Sequence, residues 1–372
     1  MLSVGIRGAG AAGLSLAQAL LSRVPDVSIS MFDIRPRLPH PCRTFCFFQQ
    51  PGEKLPAPAT HQWSNVAYAG THFRRSVSCA ETPYTLIRGD DFFGALLEEL
   101  EQAGVLFSWD CPAVEVSTDS ICVGTHSTTF DVVIDAAFSP TPGTSILWQS
   151  FAGMWVRSKH PYFDPTTATL MDLDVVDSSA AVRFVYLLPT SPTTALIEHT
   201  VFAHSPLPQE EHVAACAEWI ERQGYGELEV CEHEYGRIPM GLQLHRQPDA
   251  PLTIGSAGGA IRTSTGYAFQ AIRKEALSVA DAIAAGVRKG GPLSLSRQSP
   301  WPLWMRVCDN MFIRALAKMP SQGQFIMSEL LRRAPERELV PFLAGSASLP
   351  QAVQVMRCVP KWCMLRALMK LS

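Results

Sequence analysis

The chain has no CxxC pair and no His/Cys cluster at zinc-ligand spacing, which excludes a zinc ribbon, a thioredoxin-like redox motif and any predicted metal site. Its ten cysteines are instead scattered from Cys42 to Cys363, without the short framework of a secreted disulfide domain, so reduced thiols in the cytoplasm are expected. Charge of one sign is not in excess. A formal net charge of -3 gives no global reason to expect nucleic acid as a partner. No run of about 18 uninterrupted apolar residues is found, so no transmembrane helix is predicted. The opening MLSVGIRGAGAAGLSLAQALLS is apolar and carries Ala17-x-Ala19, but its only basic residue, Arg7, lies inside the glycine stretch, which argues against a secretory signal. Repeats and low-complexity segments are missing too. At 372 residues, 47% hydrophobic and 17% charged, the chain reads as a globular protein of two domains or one large α/β domain with an inserted sheet.

What is present begins with a βαβ unit: a buried strand at 2 to 7, a helix at 11 to 23 and a second strand at 28 to 34. Gly8, Gly10 and Gly13 form a GxGxxG between the first strand and the helix, and Asp33 follows Gly13 by twenty residues at the end of the next strand. The first glycine makes the tight turn, the second admits a pyrophosphate to the backbone, and the third permits close helix packing. The helix N-terminus adds positive potential, and Asp33 is placed to accept from a ribose. A dinucleotide site is therefore predicted. Further along, 86 to 104 reads as a helix behind an Asp cap, FDVVIDAAF at 130 to 138 as a strand buried on both faces, and 150 to about 240 as an antiparallel sheet containing the hairpin RFVYLLPTSPTTALIEHTVF. The α/β texture returns at LTIGSAGG, and everything after Pro300 looks helical.

The second glycine-rich run, IGSAGGAIRTSTGYAFQAI, discriminates between dinucleotides. In proteins that bind FAD extended, the adenosine end sits at the first βα turn and a late glycine-rich turn lies beside the pyrophosphate, ribityl chain and flavin ring. Residues 255 to 269 are thus expected to be a second clasp on one FAD; the plain alternative is a glycine-rich helix cap.

These motifs, with WQSFAGMWV, LMDLDV, VYLLPTSPTTALIEHTVF and GRIPM in that order, resemble the lycopene cyclases, flavoproteins related in fold to the hydroxybenzoate hydroxylase type. RTFCFF at 43 to 48 is similar to the family's early Arg-Thr-Trp-Ser-Phe stretch, with Phe45 and Cys46 in place of Trp and Ser. The resemblance implies an α/β fold: a discontinuous Rossmann-type FAD-binding domain (1–150 and 241–295), an inserted antiparallel β-sheet substrate domain (151–240) and a C-terminal helical region (296–372). It implies FAD held by Gly8, Gly10, Gly13, Asp33 and Arg43 at one end. At the other end Gly255, Gly258, Gly259, Thr265, Gly266 and Tyr267 are the expected partners, with NAD(P)H as a reductant. It also implies that Glu198, in LIEHT, is the acid of a non-redox cyclisation of a linear polyene or isoprenoid end. Protonating a carbon-carbon double bond needs a carboxyl kept neutral by an apolar site. Strand alternation puts Glu198 on the face opposite Ile197, His199 and Val201; without the resemblance, a solvated strand glutamate is the ordinary reading.

Three further expectations complete the reading. Trp63, Phe45, Phe47 and Phe48 form a candidate aromatic wall against a cation, with core packing as the alternative. Arg237, Pro239 and Met240 are expected on the flavin or substrate face. Residues 297 to 372 hold eleven Lys or Arg against four acids, hence +7, interleaved with Trp, Met, Leu and Phe, which suits the inner face of an anionic membrane or a solvated helical cap. Two departures stand out: Ser256 replaces the Asp that many relatives of this fold place near the ribityl chain, and Ala137-Phe138 replaces an Arg-Gly or Thr-Gly. A monooxygenase or halogenase of the same fold is the alternative, but IDAAFSPTPG lacks the hydroxylase Asp-Gly…Arg motif and SPWPLWMR does not match the halogenase Trp-x-Trp-x-Ile-Pro. A non-catalytic accessory protein is the third reading.

Overall fold

The computed structural model describes residues 1–37, 43–111, 114–139, 145–175, 182–242, 250–290, 295 and 299–362. The strand Leu2–Arg7 turns at Gly8, whose φ of +99° suits glycine, into the helix Ala11–Arg23, and Val27–Phe32 returns beside the first strand. A five-stranded parallel sheet grows from this unit in the order Leu252–Thr253, Val132–Asp135, Leu2–Arg7, Val27–Phe32, Leu106–Ser108. Val132–Asp135 is buried along its whole length, as its unbroken apolar run requires of a central parallel strand. The helices Ala11–Arg23, Gly89–Gln102 and Phe269–Lys289 share one core with this sheet.

Seven strands make the larger sheet: Leu228–Met240, Leu147–Ser158, Thr194–Ala203, Val182–Ser191, Thr167–Asp172, Asn65–Gly70 and Phe73–Ser78, in that order. The hairpin is Val182–Ser191 with Thr194–Ala203, antiparallel as its sequence predicts. The last two strands come from the first 150 residues, so the sheet reaches beyond the expected 151–240 segment. Thr167–Asp172 joins Asn65–Gly70 in parallel. Half-buried alternation, as in NVAYAG, marks a strand but does not say which sheet it joins.

Helices cover both faces of this sheet. Gln209–Arg222 packs Cys216 and Trp219 against one face, while Leu303–Lys318, Pro320–Arg333, Glu336–Ala344 and Leu349–Met356 close over the other. A three-stranded sheet, Thr44–Phe48, Tyr84–Arg88 and His61–Trp63, lies between the two larger sheets. Its strand Thr44–Phe48 sends Phe47 into the core of the parallel domain and Phe48 into that of the large sheet. The observed architecture is the α/β fold expected. The late glycine run differs in detail: one helical turn, Gly255–Gly258, is followed by a loop, and the long helix starts only at Phe269.

Candidate active site between the glycine loops and the large sheet

The two glycine-rich loops meet. A Cβ on Gly255 would lie 2.5 Å from the Ala12 Cβ, so the second loop is packed against the first turn of the first helix. A Cβ on Gly13 would fall 2.0 Å from the Gly8 carbonyl oxygen, which makes glycine obligatory where the helix crosses the turn. Above Gly10 the space is open: an added Cβ meets only Arg35 Nη2, at 3.8 Å. Gly258 and Gly259 close the short turn, Gly259 at φ +86°, and the Gly255 amide donates to the buried Glu275 at 2.7 Å.

Asp33 sits at the end of its strand, but it is occupied. Oδ2 accepts from the Ala9 amide and Arg35 Nη2, each at 2.7 Å, and Oδ1 accepts from the Arg35 amide at 2.8 Å and Nε at 2.9 Å. These fill the four acceptor positions of a carboxylate, so a ribose hydroxyl on Asp33 requires the Arg35 guanidinium to swing aside. Burial pushes the Asp33 pKa up, and the Arg35 and Ala9 hydrogen bonds outweigh it, leaving the pKa below the ordinary value. Arg43 lies nearby. Its side chain is exposed and no ion pair engages it among the described residues; surrounding protein and the like charge of Arg35 lower its pKa, with Glu234 acting against them.

The second loop leans on the large sheet at Gly266, where φ is +72°. A Cβ there would meet Gln149 Oε1 at 2.3 Å and Ile238 Cδ1 at 3.7 Å. Gln149 is buried, and its Oε1 has no hydrogen-bond partner among the described residues. An orphaned buried carbonyl facing a residue that tolerates no side chain fits a planar ligand carrying an N–H donor. Together, the open space over Gly10, the free Arg43 and the orphaned Gln149 fit the residues to a dinucleotide with a ring system at its second end. Tyr267, next to Gly266, is buried among Tyr84, Tyr186 and Cys46, and burial raises its phenol to about 12.

Along the same face of Leu147–Ser158, four residues beyond Gln149 and so about 13 Å away, stands Gly153. Its register partners are Glu198 on one neighbouring strand and Glu234 on the other. A Cβ on Gly153 would lie 2.8 Å from Leu196 Cδ1, 3.2 Å from Glu234 Cγ and 3.4 Å from Glu198 Cβ, so the glycine lets the two acids and Leu196 crowd around it. Glu198 keeps part of its surface open, yet protein surrounds it. Burial, then the charge of Glu234, raises its pKa well above the ordinary carboxylate value, against a hydrogen bond from Thr200 Oγ1 at 3.1 Å. Glu234 is raised to about 7, chiefly by burial, although Thr44 Oγ1 donates to it at 3.0 Å. Residues 43, 44 and 46 of RTFCFF thus gather around the acids: Thr44 bonds Glu234, while Cys46 and Arg43 feel their charge. Glu234 was not singled out from the sequence; its signal was a buried-side position occupied by Glu in a strand whose next same-face residues are Gly236, Ile238 and Met240.

His199 lies on the other face, as alternation predicts. It is fully buried there, with Nδ1 3.0 Å from His212 Nδ1. The aromatic wall is not where it was expected. Phe45 stacks on Phe269 at 4.5 Å and Phe47 joins the same core, while Trp63 is wholly buried with its indole N–H on the Pro189 carbonyl. Phe48 packs in the large-sheet core against Tyr84. None of the four is among the residues that line the apolar cavity beside Tyr267. Arg237 and Pro239 are likewise displaced: they pair with Ser150 and Trp148 on the far face, and Ile238 is the residue beneath Gly266.

From Thr265 and Tyr267 a narrow apolar cavity runs between the large sheet and the C-terminal helices, with about 810 Å³ of empty space, open mouth included. Tyr68, Phe184, Tyr186 and Phe202 line its sheet side, and Phe312 and Phe342 its helical side. Tyr186 is the register partner of Glu198, so the acid stands beside this wall of the cavity without being one of the residues that line it. Arg262, 1% exposed, fastens the second loop to this roof: its guanidinium pairs with Asp309 at 3.0 Å and donates to the carbonyls of Phe342 and Leu343. Among the described residues no single helix is long and apolar enough to cross a membrane. Arg297, Arg366, Lys370 and the rest of 363–372 lie outside the described residues, as do residues 140 to 143 of IDAAFSPTPG.

Comparison with known proteins agrees with this geometry. A family model described as lycopene cyclase protein matches residues 4–369. A lycopene beta-cyclase of Pseudescherichia vulneris is 26% identical over 373 residues, covering 95% of this chain and 92% of that protein. Among solved structures, a geranylgeranyl bacteriochlorophyll reductase-like protein of Thermoplasma acidophilum superposes with a TM-score of 0.60 at 13% identity, covering 100% and 99% of the two chains. A probable FAD-dependent monooxygenase of Pseudomonas aeruginosa gives 0.59 at 15% identity, covering 88% and 98%. At such identities the structural likeness speaks for the fold alone.

Proposed function

Since the chain belongs to the lycopene cyclase family of enzymes, we propose that it closes a ring at the end of a linear apolar polyene by proton transfer, with no net redox change. The observation that carries this reading is Glu198: a surrounded carboxyl on the strand next to Tyr186, which lines the apolar cavity, with its pKa pushed well up. An acid that is neutral at working pH is what protonation of an alkene requires, and desolvation is the means by which proteins keep a carboxyl neutral.

The atoms balance without an oxidant. The Glu198 O–H bond breaks as a C–H bond forms at the terminal double bond. The carbon-carbon bond of the ring then closes onto the cationic centre, and loss of a ring proton to the Glu198 carboxylate restores the acid and leaves an isomer of the substrate. Tyr186, Phe184 and Phe202 line the path, where aromatic π-electron density stabilises positive charge and their bulk excludes water.

FAD is the cofactor proposed for the cleft between the two glycine loops, and in its reduced, anionic form it supplies further electron density to the cation, with NAD(P)H as reductant. The chain's own part is to hold it: Gly8, Gly10 and Gly13 open the backbone at the first turn, and Arg43 offers an unpaired cation. Gly266 and Gln149 form the seat at the second loop.

The test is product analysis after anaerobic incubation with lycopene and chemically reduced FAD. Ring-closed products of unchanged mass support the reading. Oxygenated or halogenated products, or NADPH consumption without ring closure, refute it in favour of the redox alternative.

A further inference from the structure

We infer that Glu198 and Glu234 form a carboxyl pair holding one proton across Gly153, in which Glu234 is a positioning residue that keeps Glu198 protonated. The catalytic consequence rests on the cyclisation reading above; the pairing does not.

Three observations carry it. The register puts both acids beside the same residue of the middle strand, and that residue is a glycine, so no side chain of its own stands between them, although Leu196 Cδ1 reaches toward the same spot. Neighbouring strands are about 4.8 Å apart, so the Cα atoms stand about 10 Å apart, a span that two glutamate side chains can reach across, and the charge of Glu234 is felt at Glu198. The donor supply is short as well: among the described residues, Glu198 receives one side-chain hydrogen bond, from Thr200, and Glu234 one, from Thr44. Lastly, of the two nearby cations Arg88 is 2.6 Å from Glu232, and Arg43 acts on Glu234 through its charge without an ion pair among the described residues. Two neighbouring carboxyls surrounded by protein, with few donors and no ion pair of their own among the described residues, do not both stay charged.

The surroundings also decide which of the two keeps the proton. Facing Glu234 are Arg88, Arg43 and Glu232, a set with a surplus of positive charge, whereas Glu198 faces Tyr186 and Cys46. The charge settles on Glu234 and the proton on Glu198. During turnover Glu234 undergoes no bond change. Its charge keeps Glu198 loaded near neutral pH, and it makes the carboxylate left after proton donation a stronger base for recovering the ring proton. The same charge lies where it favours the cation.

The deciding measurement does not need turnover. Infrared difference spectra of the full-length protein, titrated from pH 4 to pH 9, show the carbonyl stretch of protonated carboxyls; the band missing in Glu198→Gln belongs to Glu198. In Glu234→Gln, whose amide oxygen still accepts from Thr44, that band should titrate at least about one pH unit lower than in wild type, because the like charge is gone while burial remains. Glu234→Asp, which moves the charge one methylene away, should give a smaller shift in the same direction, and it decides the matter if the Gln variant does not fold. An unmoved midpoint overturns the pairing. With lycopene in phosphatidylcholine vesicles, the basic limb of the kcat profile should shift down with the band in Glu234→Gln while KM stays constant. A uniform loss at every pH would mean a structural role and would also overturn it. If wild type closes no rings, the cyclase reading fails while the titration still decides the pair.

Discussion

A carboxyl group proposed to give a proton to carbon is useful only while neutral, and at Glu198 burial is the largest influence that raises the pKa. Replacing it with Gln keeps the shape and the Thr200 contact but removes the transferable proton. Cyclisation should fall by about 10²- to 10⁴-fold, the usual range for a general acid, with an unchanged circular dichroism spectrum. Gly153 gives a second, steric prediction. An alanine there meets Leu196 Cδ1 at 2.8 Å as well as both glutamates, so Gly153→Ala should destabilise by about 1–3 kcal/mol in urea titration and raise the cyclisation barrier by spreading the acids. Of these residues Glu198 was legible because LIEHT is a contiguous string on an alternating strand. Glu234 was not, because its meaning depends on a register that places it opposite Gly153, and no string in the sequence encodes that pairing.

The large sheet, as an element, carries titrating groups of opposite tendency on its two faces. Toward the cavity, Glu234 is raised from the ordinary 4.5 to about 7 and Glu198 moves in the same direction. On the other face, where the helix Gln209–Arg222 packs, burial lowers His199 of the sheet to about 3 and His212 of the helix to about 4 from the ordinary 6.5. The signs differ. The raised acids bind protons more tightly when folded, so their contribution is full below pH 4.5 and is lost as pH rises toward 7. The lowered histidines bind protons less tightly when folded, so their contribution is full above pH 6.5 and is lost as pH falls toward 4 and 3. Between about pH 4.5 and 6.5 the two slopes offset each other. Thermal midpoints of the wild type should therefore be nearly flat there, and the double variant Glu198→Gln/Glu234→Gln should lose stability as pH falls through that window. A flat profile in the double variant would show that the histidines do not contribute. Elements of this kind were largely readable, since the hairpin 182–203, the parallel strand at 132–135 and the C-terminal helices all announced themselves by period and burial. The assignment of 65–78 to the large sheet was hidden, because alternation fixes a strand's faces but leaves its partner open.

At the scale of the whole molecule, the four C-terminal helices roof an apolar cavity, and the outward side of that roof is itself partly apolar. Leu303, Val307 and Met311, at 70%, 50% and 38% exposure, recur every four residues and form one line along Leu303–Lys318. Arg306, Arg314 and Lys318 are exposed on the same helix, and Phe325 and Trp362 stand out from neighbouring segments. An apolar ridge edged by cations suits the surface of an anionic bilayer, each Lys or Arg near that surface contributing on the order of 1 kcal/mol. A polyene dissolved in lipid needs such a route, because passage through water would cost the hydrophobic free energy of its whole length. Flotation with vesicles should therefore recover more protein with phosphatidylglycerol present than with phosphatidylcholine alone, and the difference should shrink in high salt as the charges are screened. Leu303→Ser/Val307→Ser/Met311→Ser should weaken flotation at any salt concentration and raise the apparent KM for vesicle-borne lycopene, while kcat at saturation stays within about twofold because Glu198 and Glu234 are untouched. Equal flotation of this variant and the wild type would rule out the ridge as the bilayer contact and leave it an ordinary exposed helix face.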